Sequence, residues 1–179
     1  TDDTHMILPD GSSVSLKAGS VLSYNPERFE TERLVSLEGE ACFDVRHDMY
    51  RPFVVKTESM NVKVLGTVFN VNTMRPGKIV ETTLVRGSIV IQDVKGEDLL
   101  FVRPGQQVIY EGSEDIKVNE LRAWEYLLER YGIVTIPDAP LSEIVDVLER
   151  VYGRKIVVAI PEGVCPMVTF GFNKGDECS

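Results

Sequence analysis

Three carboxylates near the start of the chain have the spacing of a possible acid and base pair. Glu38, Glu40 and Asp44 are an even number of positions apart, so a single strand would place them on one face. Two carboxylates in unlike environments can act as acid and base in the hydrolysis of a glycosidic bond. Because the chain has 28 acidic residues, a solvated strand face is the simpler interpretation.

Histidine and cysteine provide little further material for catalysis. His5 lies in a polar N-terminal stretch that we expect to be unstructured. His47 precedes Asp48 in a charged turn, where solvated side chains are favoured over a general base held by its neighbour. Cys42 follows a strand pattern and is expected to be a buried, inert thiol rather than a nucleophile.

The motifs do not indicate a metal, cofactor or redox site, and we expect no cofactor. Two histidines without an HxH or HExxH spacing give a metal site little material, and no histidine follows Pro104-Gly105 as a metal-binding cupin would require. The sequence has no GxSxG or P-loop motif. It has no CxxC either; a Cys165–Cys178 disulfide stays open, but unrelated thiols are favoured.

The composition is that of an acidic globular protein. The chain has 179 residues, a mass of 20.0 kDa, a net charge of −9 and a sequence pI of about 4.8. An acidic surface repels phosphate backbones and anionic membranes, which disfavours a nucleic-acid-binding role. No segment has the roughly 18 to 20 apolar residues of a membrane helix. Because the sequence starts with Thr1 rather than Met, we expect a fragment of a longer protein.

Alternating apolar residues from Ile7 to Lys117 predict about ten short antiparallel strands. Their central residues are Val14, Val35, Phe43, Phe53, Val62, Phe69, Thr82, Ile89, Leu100 and Val108. Five glycines recur between these runs, namely Gly19, Gly39, Gly66, Gly87 and Gly105. The recurrence favours a stacked, solenoid-like β domain with glycine at bends or bulges, whereas a two-sheet sandwich is the commoner architecture; both stay open.

A helical pattern replaces the alternation near residue 119. Asn119 is the predicted N-cap of a helix over Glu120–Arg130, which Gly132 ends. Trp124 lies on the apolar stripe of this helix, and we expect it to close the β part.

The remaining sequence predicts a small α+β unit in the order β-α-β-β. Its helix has apolar residues at helical spacing from Leu141 to Tyr152, with Pro140 in its first turn. Its strands are Ile133–Ile136, Lys155–Ala159 and Met167–Phe172. We therefore expect a mainly β protein with an all-β domain over residues 1–118, a connecting helix over 119–131 and a partial α+β domain over 132–179.

Seven motifs occur in the order found in a known family. They are Leu8-Pro9-Asp10-Gly11-Ser12, Ser20-x-Leu22-x-Tyr24, Arg33-x-Val35-x-Leu37-x-Gly39-Glu40-Ala41, Pro52-Phe53-x-Val55, Val62-x-Val64-Leu65-Gly66-Thr67, Thr82-Thr83-Leu84-Val85 and Pro104-Gly105-Gln106-Gln107. Together they resemble the periplasmic region of FecR-like transmembrane sigma-factor regulators, which are anti-sigma factors, in the form common in Bacteroidetes. The resemblance covers about Ile7–Tyr110.

The second part resembles the domain that usually follows this region. Ala123-Trp124, Pro140-Leu141-Ser142-Glu143-Ile144 and Leu148-Glu149-Arg150-x-Tyr152 look like its motifs. That domain is similar to the short secretin/TonB N-terminal domain of outer-membrane transducers. The family's second helix and closing strand would come after Asn173, and the sequence stops at Ser179, so we expect weakened partner binding by this chain.

The resemblance implies a periplasmic signalling module rather than an enzyme. In such systems the N-terminal signalling domain of a TonB-dependent outer-membrane transporter contacts the regulator. The signal then passes through one membrane helix to a cytoplasmic segment that holds an extracytoplasmic-function sigma factor. Both would precede Thr1, which would make this chain the periplasmic domain of a single-pass inner-membrane protein.

Strand edges are the predicted partner-binding surface. An incomplete β-α-β-β unit leaves edges that can accept another strand. The candidate residues are Ile133, Val134, Thr135, Ile136, Met167, Val168, Thr169 and Phe170. For the alternating side chains of Val168, Phe170 and Phe172, packing on the helix over 141–152 is the simpler interpretation.

A second class of function stays open beside the regulator. It is a periplasmic carbohydrate-binding or carbohydrate-processing β domain, based on Glu38, Glu40 and Asp44. Trp124 is the single tryptophan that could serve as a sugar platform, and its predicted place under the connecting helix weakens this interpretation.

Overall fold

The computed structural model describes residues 3–112, 115–159 and 167–173 of the chain. The chain divides into two compact units, Thr1–Ala123 and Trp124–Ser179.

The first unit consists of short strands and one short helix. Within the described residues they are β1 Thr4–Ile7, β2 Ser13–Leu16, β3 Val21–Tyr24, α1 Pro26–Phe29, β4 Arg33–Glu38, β5 Glu40–Asp44, β6 Phe53–Lys56, β7 Asn61–Val64, β8 Val68–Asn72, β9 Val80–Arg86, β10 Ile89–Gln92, β11 Asp98–Val102, β12 Gln106–Tyr110 and β13 Ile116–Glu120. One sheet has seven strands in the order β1-β2-β5-β8-β9-β12-β13, and the other has six in the order β11-β10-β7-β6-β4-β3.

The two sheets enclose one apolar core, so the mainly β prediction is confirmed and, of the two architectures left open, the structure has the sandwich. Alternation along the strands turns one face of each sheet inward. Phe43 and Phe69 of the seven-stranded sheet stack with ring centroids 5.1 Å apart. Phe43 also meets Phe53 of the six-stranded sheet edge to face at 6.1 Å. This contact joins the two sheets directly, and all three rings are fully buried.

The predicted glycines lie where the chain passes from one sheet to the other. Six such crossings occur in this unit, and five of them contain one of the recurring glycines: Gly19, Gly39, Gly66, Gly87 and Gly105. At Gly39 the backbone has a φ of +108°, and a Cβ there would lie 2.3 Å from the Oγ of Ser20. The recurrence that suggested a stacked domain therefore arises from the alternation of the chain between two sheets.

One strand pair departs from the antiparallel expectation. β4 and β6 are parallel neighbours, with Arg33 opposite Phe53 and Val35 opposite Val55. Between them the chain leaves for the other sheet, where it forms β5, and then returns. The chain reaches β6 by a crossover through β5 and not by a hairpin, and such a connection allows β6 to run parallel to β4.

Two expectations about the ends of the first unit are wrong. His5 does not lie in an unstructured tail; it lies in β1, and its Nδ1 is 3.1 Å from the Oγ of Ser15. Asn119 is not an N-cap; it lies in β13 and pairs with Gln107 of β12. The ladder with β12 pairs the backbone N–H and C=O groups that a helix would otherwise have paired, so the helix begins later, at Ala123.

In the second unit the described elements are α2 Ala123–Tyr131, β14 Ile133–Pro140, α3 Leu141–Tyr152 and β15 Met167–Asn173. The predicted stop at Gly132 is confirmed: its φ is +65°, and its N–H donates to the carbonyl of Leu128 at 2.9 Å. α3 has the predicted bounds, and Gly153 follows it with a φ of +62°. Pro140, however, is the last residue of β14 rather than part of the first helical turn.

The predicted strand Lys155–Ala159 is wrong. These residues form no ladder, and the N–H of Ile156 donates to the Oε1 of Glu149 on α3 at 2.9 Å. A side chain of the helix thus takes the amide that a strand partner would have used. Val157 is 92% exposed, so the run of apolar residues in this segment does not correspond to burial. The side chain of Trp124, and Cys165 and Cys178, lie outside the described residues.

Candidate functional site

The two predicted partner-binding segments come together in one two-stranded antiparallel sheet. Ile133 of β14 lies opposite Asn173 of β15, and Ile136 lies opposite Phe170. The register shifts after Ile136, so that Met167 is opposite Pro140. Within the described residues β14 and β15 pair with each other alone, so the outer edge of each has no ladder partner there. An edge of this kind can accept a further strand.

The predicted shared face of the three carboxylates is wrong. Glu38 is the last residue of β4 and Glu40 the first of β5, and the crossing at Gly39 puts them in different sheets. Glu40 is buried and accepts a hydrogen bond from the Nδ2 of Asn70 at 3.1 Å. Asp44 lies at the far end of β5, about 13 Å along the strand, exposed and 3.5 Å from Arg86. This separation exceeds that of paired glycosidase carboxylates.

A cavity of about 680 Å³ lies beside Glu38 but does not rescue a sugar site. Its lining combines hydroxyl groups with charged side chains, and Lys78 and Glu58 pair across it at 2.5 Å. No lining residue is aromatic, so the cavity offers no ring on which a sugar could stack. The carbohydrate interpretation loses its geometric basis.

The two remaining candidates for chemistry, Cys42 and Asp48, lie in surroundings that do not favour catalysis. Cys42 is buried as expected, and burial, followed by the charges of Asp44 and Glu40, raises the pKa of its thiol to about 12. Asp48 directs its carboxylate to the backbone N–H groups of Tyr50 and Arg51 and to the Nε of Arg51, not to His47. These hydrogen bonds, that from Tyr50 first, lower the pKa of Asp48. Neither group is poised for catalysis.

Arg33 is a deeply buried charged residue that sequence reasoning missed. Its side chain is 1% exposed, and its guanidinium lies 3.2 Å from the carboxylate of Asp10. It also donates to the carbonyls of Arg46 at 2.8 Å, Asp48 at 3.3 Å and Arg51 at 2.7 Å. These carbonyls belong to residues 45–52, the one crossing without a glycine. Alternate residues of a strand share one face, so the core residues Val35 and Leu37 place Arg33 on the buried face. This alternation could have identified Arg33 as a buried charge.

The described residues contain no cluster of three or more His, Cys, Asp or Glu side chains suited to a metal ion. In the part of the chain that the structure describes, the helices are too short or too polar to cross a bilayer.

Comparisons with known proteins give a family match and similar solved structures. Residues 2–90 match the profile of the family described as FecR protein. Two crystal structures of a protein from Parabacteroides distasonis ATCC 8503, assigned as an anti-sigma factor, are similar to the chain. Each has a TM-score of 0.65 and 29% identity over 97% of this chain, and the matches cover 82% and 81% of the respective solved chains. The comparison with curated proteins gave no match.

Proposed function

Because residues 2–90 of the chain belong to the FecR family, we propose that the chain is the periplasmic sensor region of a sigma-factor regulator. The observation that carries the proposal is this match, together with a similar solved structure that is assigned as an anti-sigma factor. The chain receives a signal from the N-terminal signalling domain of a TonB-dependent outer-membrane transporter. A membrane helix and a cytoplasmic segment of the full-length protein pass this signal to an extracytoplasmic-function sigma factor.

The geometry supports a binding module rather than a reaction centre. The carboxylates that could have formed an acid and base pair lie in different sheets or at opposite ends of one strand. The buried thiol of Cys42 has a raised pKa, which disfavours the reactive thiolate at neutral pH. The strongest buried polar cluster, around Arg33, binds backbone carbonyls of the chain itself.

The transporter domain docks by strand addition on the sheet formed by β14 and β15. Strand addition takes affinity from backbone hydrogen bonds, which an unpaired edge offers without any special side chain. The contact residues are Ile133–Ile136 and Met167–Phe170, and the unit over 132–179 corresponds to the domain that resembles the short secretin/TonB N-terminal domain.

The test is a pull-down with this chain, extended at its C-terminus to a complete domain, from a periplasm and outer-membrane extract of the native host. We expect a TonB-dependent transporter to be enriched, and the enrichment to disappear when the transporter lacks its N-terminal signalling domain. Retention of a truncated transporter, or capture of none, contradicts the proposal.

A pair of variants locates the contact on β15. Thr169→Pro removes a backbone N–H, whereas Thr169→Ala removes the side chain and keeps the N–H. We expect the proline variant to lose transporter binding and the alanine variant to keep it. Circular dichroism establishes that both are folded; equal binding by the two folded variants would exclude this edge.

A further inference from the structure

The connection from β5 to β6, residues 45–52, presents large apolar side chains to solvent. We call it the 45–52 loop. Met49 is 63% exposed and Tyr50 is 87% exposed. Leu65, in the connection from β7 to β8, is 37% exposed. Its carbonyl accepts a hydrogen bond from the N–H of Asp48 at 2.7 Å, so the two connections run side by side. Three apolar residues from two adjacent connections therefore share one part of the surface.

The backbone beneath these side chains is held at several points. Arg33 binds carbonyls of the loop from the inside. Asp48 accepts hydrogen bonds from the backbone N–H of Tyr50 at 2.9 Å and of Arg51 at 3.2 Å. The N–H of Val45 donates to the carbonyl of Thr67 at 3.0 Å, which ties the loop to the next connection. A loop fixed in this way loses little conformational entropy when a partner binds.

The charge of the loop is opposite to that of the chain. The chain carries a net charge of −9, but Arg46 and His47 are exposed and form no ion pair with any described residue. Asp48, the one acidic residue of the loop, is paired with Arg51 at 2.8 Å. Arg46 thus contributes to the loop a positive charge that no described carboxylate pairs with, and its guanidinium lies against the turn at Gly11.

We propose that Met49, Tyr50 and Leu65 form a docking surface for an acidic protein segment that carries an aromatic or aliphatic side chain. Tyrosine and methionine are enriched in protein interfaces, and a rigid aromatic side chain is a frequent anchor. The positive charge of Arg46 selects an acidic segment, since complementary charge steers association. A protein is favoured over an anionic membrane because the chain as a whole is strongly acidic. This surface belongs to the first unit and is additional to the strand edge proposed above.

The test is a selection of random dodecapeptides displayed on phage against the immobilised full chain, followed by fluorescence polarisation with the selected peptides. We expect peptides rich in Asp and Glu with an aromatic or aliphatic residue. The double variant Met49→Ser/Tyr50→Ser weakens their binding at least tenfold, as expected for loss of an anchor. Phe101→Ser, a change at a side chain of similar exposure (71%) on β11, leaves binding unchanged.

A charge reversal tests the electrostatic part. Arg46→Glu weakens peptide binding about fivefold at low salt and much less at about 0.5 M salt, where screening is strong. Arg103→Glu, at another exposed arginine, is the control. Peptides without acidic residues, peptides that bind the double variant equally well, or an Arg46→Glu variant with unchanged affinity overturn the proposal. Tyr50-dependent binding to phosphatidylglycerol vesicles, with no peptide selected, overturns it as well and indicates a membrane surface.

Discussion

The two connections at opposite ends of β5 both carry the chain from one sheet to the other, but by different structural means. At Gly39 the chain changes sheets within a single residue, which needs a positive φ and leaves no room for a side chain. At the other end the chain takes the eight residues 45–52, and Arg33 fixes them through their carbonyls. The short route, through Gly39, requires a residue without a Cβ. The long route, over residues 45–52, requires the buried guanidinium of Arg33. The long route leaves room for outward side chains, so it is the place where a surface for binding can be built.

The largest expected effect comes from breaking the long route. Arg33→Ala leaves the Asp10 carboxylate and several loop carbonyls without their buried donor. Removing one partner of a buried ion pair costs about 3 to 5 kcal/mol. We expect a loss of this size in the free energy of unfolding, measured by urea denaturation. Arg33→Lys keeps the charge but not the planar fork and should fall between the alanine variant and the wild type. A loss below about 1 kcal/mol for the alanine variant would show that the loop holds itself.

The short route is tested by comparing two glycines with similar backbone angles. Gly39→Ala combines a positive φ with a Cβ that would approach Ser20 to 2.3 Å, whereas Gly96→Ala has a φ of +92° and no atom within 4 Å of its Cβ. The second variant isolates the backbone strain, about 1 to 2 kcal/mol. The first should lose about 3 kcal/mol or more, because the overlap adds to the strain. Equal melting temperatures for the two variants contradict a steric role for Ser20.

The smallest effect concerns acid and the 45–52 loop. The pKa of Asp48 is held below its ordinary value of 3.8, chiefly by the backbone N–H of Tyr50 and then by Arg51. A depressed pKa in the folded state stabilises the protein above that ordinary value and ceases to do so as the pH falls through the folded pKa. In Asp48→Asn the stability difference from the wild type should therefore shrink as the pH falls below about 4. Urea midpoints between pH 3 and pH 7 measure this, and a difference that is constant with pH excludes the linkage.

The strands that the sequence revealed and those it concealed differ in burial. All ten predicted runs form strands, because each carries alternate residues into the core between the sheets. The three strands that were not predicted are β1, β3 and β13, and each lies at the edge of its sheet. Their side chains are mostly exposed or half-buried, so few of their apolar residues enter the core and the strand pattern is weak. Asn119 was mistaken for a helix cap for this reason.

The errors at the candidate sites have a different cause. The period of two does not place Glu38 and Glu40 on one face, because the chain crosses between the sheets at Gly39. Since this crossing takes one residue, it leaves no gap in the strand pattern. Lys155–Ala159 has the continuous apolar run of a buried strand, but a carboxylate of α3 binds the N–H of Ile156 instead. The long-range role of Arg33 depends on residues 46–51, which the local pattern around Arg33 does not contain. Partners of this kind become visible only when the tertiary structure brings the segments together.

The strand order of the seven-stranded sheet has a mechanical consequence. The first unit enters this sheet at β1 and leaves it at β13, and these strands lie at its opposite edges. A pull between the two ends of the unit therefore acts on the outermost ladders first. β1 and β13 are among the least buried strands, so peeling either away exposes little of the core. Under tension the unit would yield first at its margins, while the phenylalanine cluster between the sheets stays closed.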